Sequence, residues 1–144
     1  MRVREAMSDD VCIAAPNQSI RDAANMMAKI DAGVLPVGEN DRLVGMITDR
    51  DIAVRAVAAG LGPETRVRDV MSEEVLYCFD TEDVEDVLAN MGDIQVRRLP
   101  VLDQNKRLVG IVALSDLADD EEEAAGQALC QISREGGQHS QSLQ

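Results

Sequence analysis

The stretch LVGMITDRDI at residues 43–52 returns as LVGIVALSDL at residues 108–117. Each is an apolar run that passes into polar residues and keeps an aspartate, Asp51 in the first and Asp116 in the second. Such a run reads as a strand buried on both faces, and its polar end as the start of a helix. The two differ at one chemically telling position, where Thr48 in the first is answered by Ala113 in the second.

Outward from this phrase the likeness continues. A displacement of 64 residues, Val3 to Val67, superposes VREAMS at 3–8 on VRDVMS at 67–72 and LPV at 35–37 on LPV at 99–101. One inserted residue in the second copy then brings RLVG at 42–45 onto RLVG at 107–110. The chain is therefore two copies of one supersecondary unit. We expect repeat 1 over residues 1–64, repeat 2 over 65–118, and an acidic, polar C-terminal tail over 119–144.

Each copy spells β-α-β-β-α, so the fold class is α+β. A β-rich run opens it, VCIA from Val11 or VLYCF from Val75. A helix follows, with apolar residues Ile20, Ala23, Ala24, Met27 and Ile30, or Val84, Val87, Leu88 and Met91, at helical spacing. Ser19 and Thr81 are placed to cap these helices. The strand around LPV comes next, its proline favouring an edge or an end. A polar turn leads into the second strand and the closing helix. One unit buries too little surface to be stable alone, so two packed face to face are expected. The first closing helix, DIAVRAVAAGL, is apolar nearly all round except at Arg55. With Ile52, Ala56 and Ala59 assigned to the core, Val54, Ala58 and Leu61 are left for a subunit contact, or for burial between the repeats.

Composition excludes several functions. The net charge is −13 and the only aromatic residues are Tyr77 and Phe79, which suits neither phosphate neutralisation nor base stacking, so no nucleic-acid partner is expected. No apolar run approaches the ~20 residues that span a bilayer, and MRVREAMSDD lacks the hydrophobic region of a secretory leader. Cys12, Cys78 and Cys130 form no CxxC pair and read as small buried thiols in a reducing cytoplasm. His139 is the single histidine and lies in the polar tail. With no nucleophile–base pair, metal cluster or glycine-rich phosphate loop in view, neither an enzyme nor a catalytic cofactor nor a metal site is expected.

The sequence G-h-h-T-x-x-D has its own chemistry. Gly45 permits close approach of a neighbour or a ligand. A strand-to-helix junction offers backbone N–H groups to an anion. Thr48 adds a hydroxyl, and Asp51 an acceptor suited to a ribose diol. The same two residues also serve as a helix cap and a favourable first-turn acid, and the pattern alone leaves both readings open.

LPV followed by LVGMITDRD, twice in register and each time preceded by V-R-[ED]-x-M-S, resembles the CBS domain, and the tandem resembles a CBS pair, or Bateman module. The resemblance runs from Val3 to about Ala118. It implies a pseudo-twofold module that binds an adenosine-containing nucleotide in clefts between the repeats, associates as a dimer and regulates another protein. By that analogy Thr48 and Asp51 form the better site, while Asp116, with Ser115 beside it and Ala113 for threonine, forms an altered one. Arg97 and Arg98, directly before the second LPV, stand where such modules carry phosphate-contacting cations; the first copy has Gly33 and Val34 there. Arg50 is a further cationic candidate. Val11, Ile13, Val75 and Tyr77 lie on strands that line the adenine slot in this family, with Val34, Leu35, Pro36, Leu99 and Pro100 on the strands beside them. The expected ligand is AMP, ADP, ATP or S-adenosylmethionine. The alternative is a dimerisation or scaffold module that needs no ligand.

Overall fold

The structure is a computed structural model that describes residues 1–118 and 121–134. Helices α1 (Val3–Ala6), α2 (Ile20–Ile30), α3 (Asp49–Asp51), α4 (Val67–Val70), α5 (Val84–Ile94), α6 (Leu114–Ala118) and α7 (Glu122–Ile132) alternate with strands β1 (Val34–Glu39), β2 (Arg42–Thr48), β3 (Cys78–Phe79), β4 (Arg98–Leu102) and β5 (Leu108–Ala113). This is the α+β pattern read from the repeats. The chain divides into two compact units, and their limits cut across the repeat boundary. One unit is Cys12–Val75 with Lys106–Leu108; the other is Met1–Val11, Leu76–Asn105 and the chain from Val109.

In the first of these, β1 and β2 form an antiparallel hairpin. Asn40 and Asp41, both at positive φ (55° and 64°), join Glu39 to Arg42 in the two-residue turn that matches strand twist. Beyond β2, Ser72 bridges to Met46 through paired backbone bonds of 2.8 and 2.9 Å. On the other side the expected strand VCIA is reduced to one parallel bridge, Ala14 to Val37. Ala14 donates to the Pro36 carbonyl at 3.0 Å and accepts from Gly38 at 2.9 Å. Extending that ladder toward Val11 requires an amide at residue 36, and proline has none. The core is aliphatic, with Leu35, Val37, Ile47, Ala56, Val67 and Val70 among its buried members.

The other unit repeats the plan. β3 pairs in parallel with β4, β5 completes a three-stranded sheet, and Ser8 bridges to Ile111 with two 2.9 Å bonds. VRDVMS of repeat 2 thus edges the sheet of repeat 1, and VREAMS of repeat 1 edges the sheet of repeat 2. The glycines explain the fit. A Cβ on Gly45 would meet Met71 Sδ at 2.7 Å and the Ser72 carbonyl at 2.8 Å, and one on Gly110 would meet Met7 Sδ at 2.6 Å and the Ser8 carbonyl at 2.8 Å.

Several helical expectations need correction. Ser19 caps α2, its Oγ accepting from Asp22 N at 3.1 Å, but Asp83, and not Thr81, is the residue that precedes α5. On α2, Ile20, Ala23 and Met27 are buried, while Ala24 is exposed and Ile30 is 45% exposed. All four expected residues of α5 are buried. The difference comes from α7, which folds within the stretch read as a polar tail. Gly92 of α5 leaves no room for a Cβ against Ala128 Cα (3.1 Å) and the Gln131 side chain, so the helices meet closely there. Gln95 Nε2 donates to the carbonyls of Gln131 (2.8 Å) and Arg134 (3.2 Å) and so caps the end of α7. His139 and most of the polar sequence beyond α7 lie outside the described residues.

The closing helix of repeat 1 is also unlike its expectation. After α3 the chain runs as a π-helical segment, Ile52–Val57, and the bonds Ala58 N to Ala53 O and Leu61 N to Ala56 O, both 2.9 Å, continue the five-residue step. The wider turn changes which side chains share a face. Ala56 is buried, but Ala59 is exposed and belongs to no core stripe, and Val54, Val57 and Leu61 are 49%, 66% and 45% exposed.

Candidate functional site

Thr48 ends β2 in extended conformation and is the N-cap of α3. Thr48 Oγ1 accepts from the Asp51 amide at 3.0 Å, and Asp51 Oδ2 accepts from the Thr48 amide at 3.0 Å. This reciprocal capping box fixes both side chains at the edge of the β1–β2 hairpin, where Val34 is the cross-strand partner of Thr48. The capping reading of the pair is thus what the hydrogen bonds show. The cap uses the threonine's acceptor function and one carboxylate oxygen, while the threonine O–H and Asp51 Oδ1 remain for other partners. Asp51 Oδ1 lies 3.8 Å from Arg55 Nε.

The expectation that this junction presents open N–H groups is overturned. Asp49 N donates to the Gly33 carbonyl at 2.9 Å, Arg50 N to Asp49 Oδ1 at 2.8 Å, and Asp51 N to Thr48. Any anion here depends on side-chain cations. Gly33 earns its place by close approach, since a Cβ there would meet Asp49 Oδ2 at 2.7 Å.

The second unit shows the altered copy. Leu114 N donates to the Arg97 carbonyl at 2.8 Å, as Asp49 does to Gly33, and Ala113 N donates to Asp116 Oδ2 at 2.9 Å. With no hydroxyl at Ala113, only half of the box exists. Asp116 is exposed, whereas Asp51 is half-buried, and Ser115 is exposed on α6 and does not take the threonine's place. Arg97 and Arg98 are both exposed, and neither is in an ion pair among the described residues.

The adenine-slot candidates divide by burial. Leu35, Pro36, Leu99 and Pro100 are buried, so their side chains serve the cores. Ile13 is 40% exposed against Gly38. Val11, Val34 and Val75 are half-buried, and Arg50 is exposed. Tyr77 is 38% exposed and meets Phe79 edge to face at 5.5 Å, so its hydroxyl is not a buried group in need of a partner. Val11, Tyr77, Arg97, Arg98, Leu99, Pro100, Ser115 and Asp116 belong to one compact unit, and the remaining candidates to the other.

Sequence reasoning passed over Gly33 and Asp49 at the junction and gave Arg55 no role. The signals were a glycine directly before a strand and a lone cation in an apolar helix. A polar cavity of about 490 Å³ lies away from this chemistry, at the start of α2, beside Asn17, Gln18, Arg21 and Arg66. The amides there are already bound, Ile20 N to Thr65 O at 2.8 Å and Arg21 N to Pro63 O at 3.2 Å, and Arg21 pairs with Glu64 at 3.1 Å. Among the described residues no three His, Cys, Asp or Glu side chains are grouped to hold a metal ion, and no helix is long and apolar enough to cross a membrane.

Comparison with known proteins agrees with the repeat and the fold. The CBS domain family matches residues 3–57 and again 67–122. The CBS domain-containing protein YhcV of Bacillus subtilis is 44% identical over 135 residues, covering 92% of this chain and 96% of that one. Among solved structures, Hypoxic Response Protein I with two coordinated zinc ions has a TM-score of 0.75 at 36% identity, covering 83% of this chain and 98% of the other. The CBS domain pair of protein MJ0100 in complex with 5′-methylthioadenosine and S-adenosyl-L-methionine has a TM-score of 0.71 at 30% identity, covering 83% of this chain and 94% of the other.

Proposed function

Because this chain belongs to the CBS domain family, occurring as two tandem repeats, we propose that it is a cytoplasmic regulatory module that binds an adenosine-containing nucleotide and signals to a partner protein. The observation that carries the reading is the Thr48–Asp51 box. It fixes a hydroxyl and a carboxylate on one strand-to-helix junction, ready to meet a ribose diol. The adenosine compounds bound by the MJ0100 pair support the ligand class.

Asp51 is the principal acceptor in this reading, and the Asp116 junction, lacking the hydroxyl, binds weakly or takes a different ligand. Arg97 and Arg98, beside the Asp116 junction in their own unit, are the candidate phosphate contacts, because guanidinium matches phosphate geometry. The exposed strip Val54, Val57 and Leu61 supports self-association as a homodimer.

The test is a thermal-shift series with AMP, ADP, ATP and S-adenosylmethionine, together with mass spectrometry of any co-purified small molecule. A ligand at 100 times its Kd adds about 2.7 kcal/mol to folding. Stabilisation by one of these compounds is expected. Indifference to all four would leave the scaffold reading in its place.

A further inference from the structure

One side chain joins the Asp51 junction to a second element of the same unit. Arg55 Nε is 3.8 Å from Asp51 Oδ1, and its Nη1 donates to the carbonyls of Val70 (3.4 Å) and Met71 (3.2 Å). Those carbonyls close α4, where the last turn of a helix has no N–H donors of its own to offer them. A guanidinium suits that end both as a fork of donors and as a cation against the helix dipole. The residues beyond α4 then grip the hairpin, with Met71 Sδ against Gly45 and Ser72 bridged to Met46. The arginine stands on the π-helical segment directly after Asp51, and such irregular turns recur at functional sites.

We infer that Arg55 is a positioning residue that orients the Asp51 carboxylate and ties occupancy of that junction to the end of α4. The inference rests on the nucleotide reading of Asp51. A ribose hydroxyl that donates to Asp51 Oδ1 takes up part of the charge facing Arg55. The guanidinium then leans more fully on the Val70 and Met71 carbonyls. The Met71 and Ser72 amides, which donate to Val67 O (2.9 Å) and Met46 O (2.8 Å), become better protected. Binding is thereby felt at the VRDVMS segment, away from the ligand itself.

The experiment combines calorimetry with amide hydrogen exchange, on the wild type, Arg55→Met and Arg55→Lys. The Arg55 side chain is 54% exposed, so the variants are expected to fold. In the wild type, AMP should slow exchange at Met71 and Ser72. Arg55→Met should bind AMP about threefold more weakly, the scale of an exposed ion pair, and lose that exchange response. Its affinity for a 2′,3′-dideoxy analogue should be unchanged. Arg55→Lys keeps a charge near Asp51 but lacks the fork, so it should retain AMP affinity and still lose the response. A wild type that binds AMP with no change at residues 71–72, or an Arg55→Met variant that responds as the wild type does, would overturn the role of Arg55 alone. A wild type that binds no adenosine compound would overturn the nucleotide reading and this inference together.

Discussion

Thr48 and Asp51 hold each other's backbone amides at 3.0 Å, whereas at the matching junction Ala113 only donates and offers nothing back to Asp116. Asp51→Ala should therefore weaken adenine-nucleotide binding more than Asp116→Ala. Hydrogen bonds to a charged group contribute about 1.5–3 kcal/mol, so a loss of roughly ten- to a hundredfold is expected for the first variant by calorimetry. Thr48→Ala should also cost about 1 kcal/mol of stability as a lost N-cap. A larger loss in Asp116→Ala, with both variants folded, would reverse the assignment.

The charge contribution separates by ligand. Replacing Arg97 and Arg98 with alanine should lower affinity for ATP and leave adenosine nearly unchanged. Added salt should weaken the wild type's hold on ATP, because both side chains are exposed and open to screening. Equal losses for ATP and adenosine would instead mark structural damage.

The proposed self-association rests on the π-helical segment and the residues just after it. Val57 is 66% exposed and Val54 49%, so Val54→Glu or Val57→Glu should give a folded monomer, since a two-fold contact brings the new charge against its own copy. Sedimentation at micromolar concentration measures this. A wild type that is already monomeric, or a glutamate variant that stays dimeric, would refute the interface.

α7 offers a mutational test of packing. Gly92→Val places a branched side chain where even a Cβ meets Ala128 and Gln131. Overpacking of this kind costs about 1–3 kcal/mol, and hydrogen exchange should show residues 122–132 opening ahead of the rest of the unit. Uniform protection of α7 in the variant would show that the contact yields more easily than its geometry implies.

Cys78 gives the protein a pH dependence. Burial, reinforced by the charges of Glu82 and Asp80, pushes its thiol pKa from 9.0 up to about 12. The folded state thus holds its proton more tightly than the unfolded chain. The associated stability is fully present below pH 9 and is lost as pH rises from 9 through 12, on the order of 4 kcal/mol at the upper end. Denaturant titrations should show that alkaline loss shrinking in Cys78→Ala. At pH 8 a thiol reagent should label exposed Cys130 quickly and Cys78 only upon unfolding.

The repeat, the hairpin and the two junctions were legible because strand runs, turn residues and a capping threonine act locally. The failures arose where a distant residue decides the outcome. Pro36 withholds the amide that VCIA needed to become a strand. α5 buries Leu88 because α7 returns to cover it, and the acidic start of α7 hid the small residues, Ala125 and Ala128, that allow it to dock. The role of Arg55 depends on a π-helical turn and on the end of α4, neither of which a helical wheel contains. Glycine was read correctly as a point of close approach, but at Gly45 the visitor is Met71 and not a ligand.

The exchanged opening segments also set an order of events on the ribosome. The unit built on Cys12–Val75 is almost contiguous and can assemble soon after its last residues emerge. Ser8, by contrast, pairs with Ile111, so its partner is synthesised roughly 5–20 s later at ordinary elongation rates. During that interval Val3 and Met7 have no sheet to cover and stand exposed. Slow codons or a stalled ribosome between residues 76 and 111 would lengthen that exposure, and so favour aggregation of nascent chains whose amino-acid sequence is entirely normal.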